Sequence, residues 1–73
     1  MRDYRKTVIA DMKALRQAVK NVYRDIEEAN LDYYLNERCS QEVADSYPFE
    51  LSLDVQCMAI MTWVDDILYD IDK

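Results

Sequence analysis

The sequence of 73 residues contains no glycine and no histidine, and it has one proline and two cysteines. Without glycine, the chain lacks the phosphate-binding and calcium-binding loops that depend on it, and tight β-hairpins are hard to build. Without histidine, it lacks Ser-His-Asp and Cys-His catalytic arrangements and the metal motifs that contain histidine. We therefore expect an all-α protein that is not an enzyme and that binds no cofactor and no metal.

Long apolar runs are also missing. The run at residues 58–61 is far shorter than a bilayer-crossing helix of about 20 residues. The amino terminus leads into an amphipathic pattern, so we expect no signal peptide. Two cysteines, Cys39 and Cys57, predict no disulfide framework. These features predict a cytoplasmic protein of one domain, residues 1–73, with reduced thiols and no membrane partner.

An unbroken heptad pattern organises the first half of the chain. Apolar side chains follow one another at alternating spacings of four and three residues, which places them on one narrow stripe of an α-helix. The stripe consists of Val8, Met12, Leu15, Val19, Val22, Ile26, Ala29 and Tyr33. It predicts a first helix at about residues 3–29, with Asp3 as its N-cap and Asn30, which tolerates left-handed backbone, at its end.

The last part of the chain carries a second heptad stripe. It consists of Leu53, Cys57, Ile60, Val64, Ile67 and Ile71. The flanking residues Met61, Trp63 and Leu68 are apolar too, so the buried arc of this helix is wider than that of the first. A helix of this kind needs two neighbours, and a middle helix or a second protomer can provide the second one.

The segment between the two stripes has a weaker pattern. Asp32 can cap a new helix after Asn30, yet apolar residues repeat at four-residue spacing as far as Cys39. One kinked helix and two separate helices therefore both remain open, and we expect helical structure over about residues 32–44.

Pro48 marks the clearest break in the chain. Proline disfavours α-helical geometry at the preceding Tyr47 and fits the first turn of a following helix. Ser46 and Ser52 are alternative N-caps for that helix. We expect it at about residues 50–71.

Charge is divided unevenly along the chain. Residues 1–24 contain seven basic and two acidic side chains, whereas residues 25–73 contain thirteen acidic and two basic ones. Antiparallel packing of the first and last helices pairs these charges and relieves unfavourable interactions with the helix dipoles. The predicted fold is therefore an antiparallel helical hairpin or a small three-helix bundle, and its leftover apolar surface predicts a homodimer.

The sequence predicts which side chains form the core or the dimer seam. They are Val8, Met12, Leu15, Val19, Val22, Ile26, Cys57, Ile60, Trp63, Val64, Ile67 and Ile71. Tyr33 is expected in the same seam, whereas Tyr34, Tyr47 and Tyr69 fall off the heptads and are expected at the surface.

Carboxylates dominate the middle of the chain. Nine of them lie between residues 25 and 54, where Arg38 is the one basic residue. Carboxylates on a rigid helical scaffold can imitate a nucleic-acid backbone and occupy a basic groove of another protein. The predicted partner-binding surface comprises these acids and one tyrosine: Asp25, Glu27, Glu28, Asp32, Tyr34, Glu37, Glu42, Asp45, Glu50 and Asp54.

The leading functional hypothesis is a non-enzymatic protein that binds and inhibits a partner with a basic surface, as inhibitors encoded by mobile genetic elements do. Two alternatives remain open. A dimerisation or adaptor module would hold its partner by apolar surface. A nucleic-acid binder would use the basic stripe of Lys6, Lys13 and Lys20, although the net charge of −6 disfavours it.

Overall fold

The computed structural model describes residues 4–71. It contains four helices: α1 (Arg5–Ala29), α2 (Leu31–Arg38), α3 (Gln41–Ala44) and α4 (Leu53–Ile71). No strand occurs in this range, which confirms the all-α prediction. Across the same residues, no helix combines the length and the apolar character needed to cross a membrane.

The two long helices, α1 and α4, pack against each other in opposite directions. Near the start of α1, Arg5 donates a hydrogen bond from Nη2 to the carbonyl oxygen of Ile71, 3.1 Å away at the end of α4. Further along α1, Arg16 donates from Nε to Oδ1 of Asp65, at 2.7 Å. Because progress along α1 corresponds to a step backwards along α4, the helices form the predicted antiparallel hairpin.

The short helices lie at the closed end of this hairpin. α2 adjoins the end of α1, and α3 adjoins α2, through contacts between residues that are near in sequence. Among the described residues, no Cα atom of α2 or α3 lies within 8 Å of a Cα atom of α4. The chain is therefore a hairpin with a helical connection, and the three-helix-bundle alternative is wrong.

The core lies where the two heptad stripes meet, and it is small. Among residues 4–71, the fully buried apolar side chains are Val64, 0% exposed, and Cys57, 3% exposed. The other seam residues that face the core are half-buried: Met12, Val19, Val22, Ile26, Ile60, Ile67 and Ile71. Since α1 and α4 are each other's main packing neighbour among residues 4–71, each seam stays open along its edges.

Four predicted seam residues are exposed in the structure: Val8, Leu15, Trp63 and Tyr33. Val8 and Leu15 lie at the edge of the α1 stripe and keep more than a third of their surface exposed. Trp63 is 56% exposed, so it does not belong to the core of the single chain. It lies on a flank of α4 that α1 does not reach, because one neighbouring helix covers only one side of another.

Asn30 separates α1 from α2, as predicted. Its backbone is left-handed (φ 54°, ψ 51°), and its N–H donates to the carbonyl oxygen of Asp25. Because α2 starts directly at Leu31, Asp32 lies in its first turn and is not its N-cap. The left-handed residue also changes the helix direction, so Tyr33 leaves the α1 stripe and is exposed, contrary to the prediction.

The helix predicted at residues 32–44 is interrupted. Cys39 and Ser40 have extended backbone, with ψ of 153° and 156°, so α2 ends and α3 starts there. The Ser40 hydroxyl accepts a hydrogen bond from the N–H of Val43, at 3.3 Å, and thereby caps α3.

The first residues of the two long helices differ from the predicted first residues by a few positions. α4 begins at Leu53, and the N–H of Gln56 donates to the carbonyl oxygen of Ser52 at 2.8 Å. Ser52, rather than Ser46, therefore precedes this helix. Tyr4 precedes α1, and the predicted N-cap Asp3 lies outside the described residues.

Shortening the one side chain that is completely buried tests the small core. We expect Val64→Ala to lower the free energy of unfolding by about 2 kcal/mol, because it removes two buried methyl groups and leaves a cavity. Urea unfolding at one fixed protein concentration measures this change. The matched control is Val43→Ala, at a side chain that is 58% exposed, and equal losses in the two variants would contradict the account.

Candidate protein-binding surfaces

Nine carboxylates surround the closed end of the hairpin, and we call them the acidic surface. They follow the last turns of α1, then α2, α3 and the segment that leads into α4: Asp25, Glu27, Glu28, Asp32, Glu37, Glu42, Asp45, Glu50 and Asp54. Eight of them are exposed, and Asp54 is half-buried. The predicted acidic residues are thus largely accessible to solvent.

Within residues 4–71, no ion pair neutralises the acidic surface. Among residues 4–71, no basic side chain forms an ion pair with any of its nine carboxylates. Their hydrogen bonds come from uncharged donors, such as the Gln41 amide, whose Nε2 lies 2.7 Å from Oδ1 of Asp45. A hydrogen bond to Glu37 raises the pKa of the Tyr33 hydroxyl, with partial burial adding to the effect. The negative charge therefore remains available to a partner.

Arg38, the basic residue of this region, lies against an aromatic ring. Its guanidinium carbon is 5.5 Å from the centroid of the Tyr34 ring, a cation–π arrangement on the surface. Tyr34 belongs to the predicted partner-binding set, and it is exposed, as are Tyr47 and Tyr69. The predicted surface positions of these three tyrosines are confirmed.

Tyr47 lies near acidic residues that are distant from each other in the sequence. Its hydroxyl donates to the carbonyl oxygen of Leu51 at 2.6 Å. Partial burial raises the pKa of Tyr47, and the nearby negative charges of Cys57 (as thiolate), Asp32 and Asp54 raise it further. Acids from α2 and from the start of α4 thus meet around one ring, which sequence spacing did not predict.

An apolar groove of about 450 Å³ runs beside this ring. Its walls come from α2, from α3 and from the segment before α4, and they include Leu35, Cys39, Val43, Tyr47 and Leu53. The Tyr47 and Phe49 rings meet edge to face, with centroids 5.3 Å apart. The apolar residues that repeat at four-residue spacing as far as Cys39 indicated one wall of this groove. The opposite wall depends on the turn at Pro48, which brings distant residues of the chain together.

A second surface is the side of α4 that points away from α1, which we call the outer face of α4. Helical spacing places six residues on it: Val55, Met58, Ala59, Thr62, Trp63 and Asp66. All six are exposed. No charged side chain occurs between residues 55 and 64, so α4 is apolar around most of its circumference over this length. Such a helix is normally covered on more than one side.

Five of the six basic residues of α1 divide into two groups, and the sixth, Arg24, is exposed beside Asp25. Arg5 and Arg16 reach α4 through the contacts given above, and the hydrogen bond and charge of Asp65 raise the pKa of Arg16. Lys6, Lys13 and Lys20 are exposed along the outside of α1. The stripe predicted for a nucleic-acid binder is therefore accessible to solvent.

Among residues 4–71, no group of three or more cysteine or carboxylate side chains is placed to hold a metal ion. Cys57 is buried in the seam and Cys39 is half-buried in the groove. Comparison of the chain with protein-family models, curated proteins and solved structures found no match. The functional argument therefore depends on the chemistry of the surfaces themselves.

The two thiols should react at very different rates. Burial raises the pKa of the Cys57 thiol, and the charge of Asp54 raises it further, so both its access and its thiolate fraction are low. With Ellman's reagent at pH 8, we expect one fast reaction that Cys39→Ser abolishes, and a second reaction that requires unfolding in urea. Equal rates for both thiols in the folded protein would contradict the placement of Cys57.

The same thiol predicts how stability depends on pH. The folded protein holds the Cys57 proton more tightly than the unfolded chain, whose thiol has an ordinary pKa of 9.0. This contribution is complete well below pH 9.0 and decreases as the pH rises from there towards the higher folded pKa. We expect the urea midpoint to fall across this range, and to fall less in Cys57→Ala than in Cys39→Ala. Identical slopes in these two variants would be incompatible with the raised pKa.

Proposed function

We propose that the protein is a non-enzymatic binding module that docks on another protein through its acidic surface and inhibits it. The observation that carries this proposal is the group of nine carboxylates at the closed end of the hairpin, none of which is ion-paired within residues 4–71. A surface of this sign complements a basic one and speeds the encounter with it. The partner we propose is a protein with a basic groove, such as one that binds DNA or RNA.

The arrangement of the helices supports a distinct acidic end. Arg5 and Arg16 are engaged with the last two turns of α4, far from the acidic surface. Lys13 precedes Asp25 by twelve residues, which corresponds to about 18 Å along a helix. Electrostatic interactions between exposed groups are largely screened beyond about 8 Å at physiological salt. Lys6 and Lys13 therefore leave the field of the acidic surface largely intact, whereas Lys20 and Arg24, which lie within five residues of Asp25, offset part of it.

Nucleic acid is a less well supported partner. Lys6, Lys13 and Lys20 offer three exposed cations in a row, but the whole chain carries a net charge of −6. Repulsion from the carboxylates opposes binding to a polyanion. We therefore treat nucleic-acid binding as an outcome that the experiment below can detect, and not as the proposed function.

Capture followed by affinity measurement tests the acidic-surface proposal. The full chain, immobilised, is exposed at low salt to an extract of the cells that produce it, and a retained protein is purified for calorimetry. We expect its Kd to rise about tenfold or more between low and high salt, because charged contacts are screened. Duplex DNA should compete for the captured protein without binding to the chain itself.

Charge-reversed variants locate the contact. The variant Glu27→Lys, Glu28→Lys, Glu42→Lys and Glu50→Lys changes four exposed members of the acidic surface and should abolish capture. The control variant Lys6→Glu, Lys13→Glu and Lys20→Glu changes the basic stripe and should retain it. Binding that is insensitive to salt and to the first variant would refute the proposal. A DNA shift that only the lysine variant loses would favour the nucleic-acid alternative.

We propose in addition that the chain forms a homodimer. Its accessible surface is 6086 Å², whereas a compact folded monomer of 8.7 kDa exposes about 4,700 Å². Its radius of gyration is 15.4 Å, against about 11 Å for a compact domain of 73 residues. The excess surface exceeds the roughly 800 Å² that each partner buries in a standard interface. An adaptor that holds a different protein by the same apolar surface is the competing interpretation.

A further inference from the structure

We infer that a second copy of the chain covers the outer face of α4, and that the two α4 helices cross antiparallel about a two-fold axis at the level of residues 60 and 61. This inference rests on the proposed homodimer and specifies its interface. It has three requirements. The outer face of α4 must lack a neighbour within the chain, its side chains must complement those of an identical helix, and its charges must favour the antiparallel direction over the parallel one. Each requirement is met by residues of α4.

The outer face lacks a neighbour within the chain. α1 covers the opposite side of α4, where Cys57 and Val64 are buried. Among the described residues, α2 and α3 line a groove with Leu53 at the start of α4, and they do not line its outer face. Met58 and Trp63 are 52% and 56% exposed. A mostly apolar surface around two large side chains is typical of an interface.

The outer face of α4 can also pack against the same face of a second copy of the chain. About an axis between residues 60 and 61, each position on one α4 meets the position equally far on the other side of the axis. Ala59 then meets Thr62 of the second copy, and these short side chains allow the helices to approach closely. Met58 then lies at the level of Trp63 of the second copy, so a flexible thioether and an aromatic ring occupy the same level of the interface. Because the axis is two-fold, each of these contacts occurs twice.

Charge selects the antiparallel direction. The charged side chains within α4 are all acidic: Asp54, Asp65, Asp66 and Asp70. A parallel pair would place Asp66 beside Asp66 of the second copy. The antiparallel pair places Asp66 opposite Val55 and separates the two Asp66 levels by eleven residues, or about 16 Å along the helix. That distance exceeds the screening length of about 8 Å at physiological salt.

The distribution of charge also favours a second copy of the chain, rather than the basic partner protein, as the neighbour of the outer face of α4. A basic protein would find one carboxylate, that of Asp66, among the six residues of the outer face. The rest of this face offers a basic protein no complementary charge. The two-fold arrangement leaves the acidic surfaces of both copies at opposite ends of the dimer, where they remain accessible.

Glutamate scanning combined with sedimentation equilibrium tests which face associates. The wild-type chain should dimerise, and Met58→Glu should raise the dimer Kd by about a hundredfold or more, since it buries an unpaired charge in the interface. The matched control is Val43→Glu, which adds the same charge at a side chain that is 58% exposed and does not line the outer face of α4. It should leave the Kd within about threefold of wild type.

Two results would overturn this assignment. A wild-type chain that stays monomeric would remove the proposed homodimer as a whole. Equal weakening by Met58→Glu and Val43→Glu would place the interface elsewhere and leave the homodimer standing. Both results come from the isolated chain, so neither bears on the acidic surface and its partner.

Opposite charges at Val55 test the direction. In the antiparallel pair, Val55→Lys gains two ion pairs with Asp66 of the second copy, whereas Val55→Glu gains two repulsions. We expect Kd values that differ about tenfold or more, and a difference that shrinks at high salt. Asp66→Asn should remove most of this difference. Circular dichroism checks folding, which both variants should keep because Val55 is 44% exposed.

A parallel pair would give another pattern. Val55 would then meet Val55 of the second copy, so lysine and glutamate would repel their own kind and weaken the dimer alike. Equal weakening by the two variants would therefore overturn the antiparallel arrangement while leaving the homodimer intact.

Discussion

The burial of one apolar seam between α1 and α4 holds this molecule together. Among the described residues, Val64 and Cys57 are its fully buried side chains, and burial of such a side chain contributes about 1.5–3 kcal/mol. A single core in a chain of this size supplies about 3–5 kcal/mol in total. The contacts of Arg5 and Arg16 with α4 lie at the surface and select the direction of packing more than they stabilise it. With so small a core, the surfaces that the hairpin leaves uncovered matter for stability as well as for function.

The antiparallel packing of α1 and α4 also determines how acidic and basic side chains are distributed between the two ends of the hairpin. It brings the basic start of α1 to the acidic end of α4, where Arg16 pairs with Asp65. Among residues 4–71, the carboxylates at the closed end form no ion pair, and Arg38 lies against Tyr34. One packing direction thus accounts both for the neutralised end of the hairpin and for the acidic surface that we propose as the docking site.

The parts of the structure that depend on local pattern were predictable from the sequence. The heptad stripes located both long helices and placed Cys57 and Val64 in the seam, and Asn30 ended α1 in the left-handed region. The break at Cys39 was missed, although Ser40 is a standard N-cap residue. The exposure of Trp63 was not predictable, because periodicity shows that a flank is apolar without showing whether a neighbour reaches it.

The candidate site was less predictable than the helices. That the acids are numerous and exposed follows from composition and spacing, and the structure agrees. The meeting of Asp32 and Asp54 around Tyr47 depends on how the segment at Pro48 folds back, which is a contact between distant parts of the chain. The outer face of α4 was predictable only in part. The sequence indicated that this helix needs a second neighbour, but it did not show which side would lack one.

The central claim is that the hairpin seam alone is too small, and that association through the outer face of α4 contributes to the stability of the fold. The concentration dependence of the thermal midpoint tests it most directly, because association that involves only the folded state raises the midpoint by mass action. Over a hundredfold range of protein concentration, we predict a rise of about 5 °C or more in Tm. A midpoint that stays the same across that range would contradict the account.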